Sequence, residues 1–179
     1  PVPPIYSGWG SPRIPATYYQ DIAVMAVKDK EQISESDVLD ISACMDKDGT
    51  LSWDAPAGNW TVVRLGYAPT MSNPHPLPDE LIGKALEADK MSEEQSVFHW
   101  TNVLQPLKDN LGEYLGNSFD HILIDSYEAG KQNWTKNFKS DFISIKGYDP
   151  IPFVALMESG YSNDKIEKFK KDYIAVFGE

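Results

Sequence analysis

Two carboxylates follow an apolar run near the middle of the chain. The run 119–125 ends in Asp125, and Glu128 stands three positions further on. Its length and apolar content predict a buried strand of a parallel sheet, and residues just past the carboxyl end of such a strand line the active-site face of α/β folds. A carboxyl group partly screened from water donates a proton near neutral pH. The pattern therefore indicates an acid–base site. The alternative is that Asp125 caps the loop and Glu128 is solvated.

A second acidic cluster lies upstream, in the sequence Glu87-Ala88-Asp89-Lys90. On an extended segment Glu87 and Asp89 point to the same side, so they are candidates to face one site or one cation. Ordinary surface charge is the alternative, and the sequence favours it.

The three histidines are scattered along the chain. His75 stands in a proline-rich loop, which is a kind of segment that often contacts ligands. His99 falls within a helical pattern and is predicted to be a packing residue, and His121 begins the predicted strand. His75 is therefore the histidine that we expect near a substrate.

Several common functions lack their motifs here. The sequence has no glycine-rich phosphate loop, no G-x-S-x-G and no H-E-x-x-H, which argues against nucleotide-binding proteins, serine hydrolases and zincins. A single cysteine, Cys44, excludes an internal disulfide framework and a multi-cysteine zinc site. The segment 45–50 faintly resembles a calcium loop but lacks its later ligands, and its Asp and Gly residues predict a tight turn.

Charge and composition argue against some classes of binding partner and are compatible with others. With 27 acidic and 16 basic residues the formal charge is -11, which argues against a protein that tracks nucleic-acid phosphates. No apolar run approaches the ~20 residues needed to span a bilayer. Aromatic residues make up 12% of the chain, which suits a sugar-binding surface and an aromatic core equally.

The elements that must position these residues change character along the chain. The first 19 residues carry five prolines and predict an extended arm. Strands are predicted at 22–27, 51–53 and 60–67, with turns at 45–50 and 55–59. A proline-rich stretch, 69–78, then marks a boundary. We therefore expect a β-rich domain over 1–70, including the arm, and an α/β segment over 71–179.

Helical periodicity dominates the second part. A capping box begins at Ser92, and apolar residues recur at helical spacing as far as Leu111, with Pro106 expected to kink or split the helix. Further helices are predicted over about 135–146, with Thr135 as cap and Gly147 as stop, and over about 163–177.

Several segments of the sequence resemble a known family. The run 124–135, Ile-Asp-Ser-Tyr-Glu-Ala-Gly-Lys-Gln-Asn-Trp-Thr, is similar to a signature of the calcium-dependent α-L-rhamnosidases of glycoside hydrolase family 106. Other segments resemble that family in the same order, namely 18–24, 51–67, 86–92 and 146–150. The resemblance covers nearly the whole chain from about residue 12.

The resemblance implies a fold and a reaction. Members of this family are large inverting glycosidases with a (β/α)₈ barrel and β-sandwich domains. The expected fold is thus mixed α/β, with a small, sandwich-like β-rich part followed by part of a barrel. Inversion needs two carboxyl groups about 6.5–9.5 Å apart. By this resemblance Glu128 corresponds to an active-site glutamate of the family, and its expected role is general acid.

The resemblance also implies the surroundings of Glu128. Substrate contacts are expected from Asp125, Asn133 and Trp134, and support of the site or of an ion from Glu87. To these the residue patterns described above add His75 as a substrate contact and Asp89 beside Glu87. Calcium is implied as a cofactor, and periplasmic or secreted localisation as the setting. The loop 70–84 departs from the family, because it carries Asn73-Pro74-His75-Pro76 in place of the usual Asn-His-Pro-type sequence.

The chain is too short to contain a complete catalytic barrel. Its 179 residues fall short of the roughly 250 of a typical barrel, and the chain stops before the later strands that carry the family's further glutamates. We therefore expect an incomplete site on a segment of a larger catalytic chain, whose substrates are α-L-rhamnosides or related plant or bacterial glycans. The alternative is a non-catalytic carbohydrate-binding or interaction module.

Overall fold

A computed structural model describes residues 18–74, 77–81, 84–123 and 132–177. Contacts divide the chain into two units. The first, here called the sheet unit, comprises residues 19–67 and 136–179. The second, here called the middle unit, has its described residues at 18 and within 68–135. Residues 136–179 group with the strands, because a helix that follows residue 135 packs on the sheet. The division at residue 70 stays a prediction.

The sheet unit is built on three antiparallel strands. These are β1 (Gln20–Lys28), β2 (Val38–Asp40) and β3 (Trp60–Tyr67), in the order β2-β1-β3. The predicted strands at 22–27 and 60–67 are confirmed. Both are rich in β-branched residues, which suit a pleated and half-buried surface. The predicted strand 51–53 is wrong beyond Leu51, which forms a single bridge with Met45.

The central strand is buried on both faces. Residues 23–27 of β1 are all buried. On one face Val24 and Ala26 form a core with Ile41, and a set of half-buried side chains packs against it: Cys44, Met45, Leu51, Trp53 and Trp60. The predicted turn at 45–50 is confirmed, because Asp46 accepts hydrogen bonds from the backbone N–H groups of Asp48 and Thr50.

Three helices complete the sheet unit: α3 (Phe138–Lys146), α4 (Ile151–Glu158) and α5 (Asp164–Val176). Of these, α4 packs against all three strands. The sequence pattern missed α4, because a helix that is apolar on all sides has no amphipathic period. Pro152 lies in the first turn of α4, where proline is tolerated.

An aromatic cluster joins these helices. Its neighbouring rings lie 5.0 to 6.1 Å apart, and its members are Phe138, Phe142, Tyr148, Phe153, Phe169, Tyr173 and Phe177. The helix α5 begins at its N-cap Asn163, whose side chain accepts from the N–H of Ile166 at 3.0 Å. The predicted helix over 163–177 is therefore confirmed.

The middle unit contains two helices, α1 (Glu93–His99) and α2 (Gln105–Leu111), joined by a π-helical turn, Trp100–Leu104. The predicted split is confirmed. Because Pro106 has no N–H to donate, the ladder is interrupted there, and Gln105 donates instead to the carbonyl of Trp100. The prediction that His99 packs inside is wrong, since this residue is exposed.

The predicted buried strand is not formed over its described residues, 119–123. Phe119 makes one parallel bridge to Leu115, while Ile122 and Leu123 are 52% and 85% exposed. A central parallel strand needs neighbours on both sides, and no strand among the described residues pairs with this run. His121 is likewise exposed, with its ring Nδ1 2.5 Å from Asp120.

Short 3₁₀ helices occupy Glu35–Asp37, Ser42–Cys44, Asp79–Leu81 and Gly112–Tyr114. The mixed α/β class is thus confirmed, with a single three-stranded sheet among the described residues. None of the described helices is long and apolar enough to cross a membrane.

Candidate functional site

The side chain of Asp89 joins two distant stretches of the middle unit. Its Oδ2 accepts a hydrogen bond from Thr135 Oγ1 at 2.5 Å. Its Oδ1 accepts from the side-chain amide of Gln132 and from the N–H of Met91, the latter at 2.9 Å. We call these four residues the Asp89 clamp. Thr135 is buried, and Asp89 and Gln132 are half-buried.

Local sequence explains one side of the clamp. The Asp89 carboxylate bonds the backbone two residues ahead, the turn that Asp favours, and its carbonyl accepts from the N–H of Ser92 at 3.1 Å. Ser92 in turn caps α1 by accepting from the N–H of Gln95 at 3.3 Å, which confirms the predicted cap. The chain therefore turns sharply at Asp89 into α1.

The segment before Asp89 is tied to the proline-rich stretch. The N–H of Glu87 donates to the carbonyl of Ser72 at 2.8 Å, and the Asn73 side chain donates to the carbonyl of Ala85 at 2.6 Å. Ser72 and Asn73 are only 6% and 7% exposed. Met71 is fully buried with a φ of 60°. These bonds fix the position from which Asp89 projects.

The two carboxylates of the acidic cluster have different partners. Glu87 Oε2 lies 2.8 Å from Lys90 Nζ, whereas Asp89 accepts from the clamp residues. A calcium ion takes six to eight oxygen ligands, and no group of three or more acidic, histidine or cysteine side chains in the described part of the chain could hold a metal. The support of an ion by Glu87 and Asp89 therefore stays a prediction.

The predicted site residues fall into two groups. Asp125, Glu128 and His75 lie outside the described residues, so their roles stay predictions. Asn133 is exposed and Trp134 is half-buried. Both stand between the two side chains that bind Asp89, so the structure brings Asp89 to the flank of the signature segment.

Sequence reasoning missed the roles of Gln132 and Thr135. Thr135 was expected to cap a helix, but α3 begins at its N-cap Asn137, and the Thr135 hydroxyl donates to Asp89. The predicted stop is confirmed, because Gly147 adopts a left-handed φ of 79° and donates to the carbonyl of Ile143. Nothing local in the sequence marks the contact, since Asp89 and Thr135 are 46 positions apart.

Comparison with known proteins identifies the family of this chain. The model of the α-L-rhamnosidase family, glycoside hydrolase family 106, matches residues 13–179. The chain belongs to this family. The resemblance seen in the sequence is thereby confirmed. Both segments that form the clamp, 89–91 and 132–135, lie within the matched range.

Two relatives are much longer than this chain. A protein of Formosa agariphila described as a "Putative beta-glucuronidase" is 33% identical over 149 residues, which cover 82% of this chain and 13% of that protein. The structure of a rhamnosidase from Novosphingobium sp. PP1Y matches with a TM-score of 0.62 and 30% identity, over 79% of this chain and 14% of the other. This family 106 chain thus spans about an eighth of the length of these relatives.

Proposed function

We propose that this chain is a segment of a larger inverting glycosidase that acts on α-L-rhamnosides or related plant or bacterial glycans. The observation that carries the proposal is the family 106 match over 13–179. The likeness to a rhamnosidase structure, at a TM-score of 0.62, supports it.

The proposed chemistry uses two carboxyl groups. Glu128 gives its proton to the glycosidic oxygen as the bond from that oxygen to the anomeric carbon breaks. A second carboxylate takes a proton from water, whose oxygen bonds the anomeric carbon from the opposite face. We assign that second group to the remainder of the larger protein. Asp125, Asn133, Trp134 and His75 are the proposed sugar contacts.

We also propose that the segment 71–179 belongs to a catalytic barrel. The exposed apolar side chains of Ile122 and Leu123 support this, because in a barrel neighbouring strands and helices would cover such a run. Periplasmic or secreted localisation and a calcium ion remain part of the proposal through the family. Glu87 and Asp89 stay the residues proposed to support the site or that ion.

A second specificity, for β-glucuronides, is favoured by one observation. The Formosa agariphila relative is described as a "Putative beta-glucuronidase". Rhamnose is a neutral deoxy sugar, whereas glucuronate carries a carboxylate that needs a cationic partner. The two candidates therefore differ in the charge of the sugar that the site must accept.

The test uses the complete reading frame that encodes this chain. The purified protein is assayed on 4-nitrophenyl α-L-rhamnopyranoside and 4-nitrophenyl β-D-glucuronide, with NMR to identify the first anomer released. We expect rhamnoside turnover with inversion, and a loss of about 10²- to 10⁴-fold in kcat for Glu128→Gln. The matched control is Glu113→Gln, since Glu113 is exposed on a 3₁₀ helix, and it should retain full activity.

The other outcomes are equally informative. Faster turnover of the glucuronide would establish the second specificity. Saturable sugar binding, followed by Trp fluorescence, without hydrolysis of either substrate would establish a binding module instead. A fall in melting temperature on adding chelator, reversed by calcium, is expected, and its absence would contradict the calcium part. The 179-residue chain alone should show no turnover.

A further inference from the structure

We propose that Asp89 is a positioning residue for catalysis by Glu128, acting through its hydrogen bonds to Gln132 and Thr135, which follow Glu128 in the sequence. This inference rests on the proposed function, in which Glu128 is the general acid. It assigns Asp89 a role in the geometry of the site, through its hydrogen bonds to Gln132 and Thr135.

The hydrogen bonds supply the first argument. Asp89 accepts from one donor on its own segment, Met91, and from two donors on the other, Gln132 and Thr135. Hydrogen bonds to a charged acceptor are roughly twice as strong as neutral ones. Two such bonds to side chains three residues apart restrain the position and the direction of that short stretch.

Burial supplies the second argument. Thr135 is only 5% exposed, so water competes little for its hydroxyl, and the bond gains strength from the lower local dielectric. The neighbouring Lys90 forms its ion pair with Glu87, at 2.8 Å. The carboxylate of Asp89 accepts its hydrogen bonds from Met91, Gln132 and Thr135.

The third argument is that Asp89 itself is held firmly. Its backbone precedes the capped start of α1, and Glu87 just before it is bonded to the buried Ser72. The clamp thus connects residues 132–135 to a fixed base. Gln132 stands four positions after Glu128 in the sequence, and a misplacement of about 1 Å at a catalytic group costs about 10²-fold in rate.

The experiment measures leaving-group dependence in the protein made from the complete reading frame. The variants are Asp89→Ala, Thr135→Val and the double variant, with Thr135→Ser as the conservative rescue. Asp109→Ala is the matched control, because Asp109 also accepts from a side-chain amide, that of Gln105 at 2.7 Å, but on the exposed face of α2. Substrates are phenyl and 2,4-dinitrophenyl α-L-rhamnopyranosides.

Phenolate is a poor leaving group that needs a proton from the general acid, whereas 2,4-dinitrophenolate leaves readily without one. For phenyl rhamnoside we expect Asp89→Ala to lower kcat by about tenfold or more, with KM changed less than about twofold. For the dinitrophenyl substrate the loss should nearly vanish. The double variant should lose no more than Asp89→Ala alone, and Thr135→Ser should behave as the unmodified protein. Equal losses on both substrates would overturn the positioning role and leave a general effect on folding.

Amide hydrogen exchange at residues 132–135 separates this inference from the proposed function. Faster exchange in Asp89→Ala is expected whatever the substrate, and unchanged exchange would overturn the clamp even in an active enzyme. A protein inactive on every rhamnoside and glucuronide would remove the proposed function and with it the role of Asp89 in catalysis, while exchange would still report on the clamp.

Discussion

Thr135 Oγ1 donates a hydrogen bond to Asp89 Oδ2 over 2.5 Å, although 46 positions separate the two residues. A threonine just before a helix is a natural cap, because its hydroxyl oxygen can accept from a backbone N–H. Here α3 begins two residues later, at its N-cap Asn137, which makes no side-chain capping hydrogen bond. The Thr135 hydroxyl proton is directed at a carboxylate, whose charge makes it a strong acceptor.

Replacement of Asn163 should separate its two hydrogen bonds. Its side-chain oxygen caps α5 through Ile166, and its nitrogen donates to the carbonyl of Ile33 at 3.2 Å. Asn163→Asp keeps the cap and should lose about 1 kcal/mol of unfolding free energy with the second bond. Asn163→Ala should lose about 1 kcal/mol more. Urea unfolding measures both, and equal losses would contradict the division of roles.

The effect of Gly66→Ala on the free energy of unfolding should change sign when Tyr19 is replaced by alanine. A Cβ on Gly66 would lie 2.1 Å from the hydroxyl oxygen of Tyr19, whose ring stacks under Arg64 at 5.6 Å. Alone, Gly66→Ala should cost about 1 kcal/mol because the tyrosine must move. In a Tyr19→Ala background it should stabilise by about 0.5 kcal/mol, since alanine loses less entropy in a strand. A cost that is the same in both backgrounds would show that Tyr19 is not the obstacle.

Alkaline pH should weaken the sheet unit through Tyr173. Burial, and then the charge of Glu158, raise the pKa of Tyr173 from 10.0 to about 12. Between these values the folded state binds more protons than the unfolded state, so stability falls as pH rises. The contribution is complete below pH 10 and is lost as pH rises through 12.

The check for Tyr173 is a comparison of slopes. Unfolding free energies at pH 9, 10 and 11 should fall more steeply for the unmodified protein than for Tyr173→Phe, which has no phenol to titrate. Parallel slopes would mean that Tyr173 titrates alike in the folded and unfolded states.

Truncation of Phe142 should be among the most damaging changes to the sheet unit. Its side chain is fully buried and meets Phe138, Tyr148 and Phe169. Phe142→Ala should cost about 3–5 kcal/mol, because a large cavity remains. Ile174→Ala, at a position 70% exposed on α5, should stay within about 0.5 kcal/mol. Similar melting temperatures for the two variants would contradict the burial of Phe142.

Much of the sheet unit could be predicted from local signals. Apolar runs with β-branched residues indicated β1 and β3, and the left-handed glycine Gly147 marked the end of α3. Prediction failed for α4, because its apolar residues show no helical period. It also failed at Leu123, which was predicted to be buried in a strand and is exposed. An apolar run becomes a buried strand only if neighbours pair with it, and no local pattern reports whether they do.

The candidate site was predictable in part. The residue types and order of the signature indicated family 106, which the family match confirms. The roles of Glu128, Asp125 and His75 stay predictions, as do those of Asn133 and Trp134. The clamp could not be foreseen, because Asp89 had the same sequence context as an ordinary surface carboxylate.

The sequence by itself determined the family, the acidic charge, the strands β1 and β3, the start of α1 and the end of α3, because each depends on residue type or on spacing over a few positions. Only the tertiary structure decided which donors face Asp89 and that the helices after residue 135 share a unit with the sheet. The physical reason is that hydrogen bonds and burial are formed in space. A carboxylate takes the donors that folding brings within about 3 Å, wherever they stand in the chain.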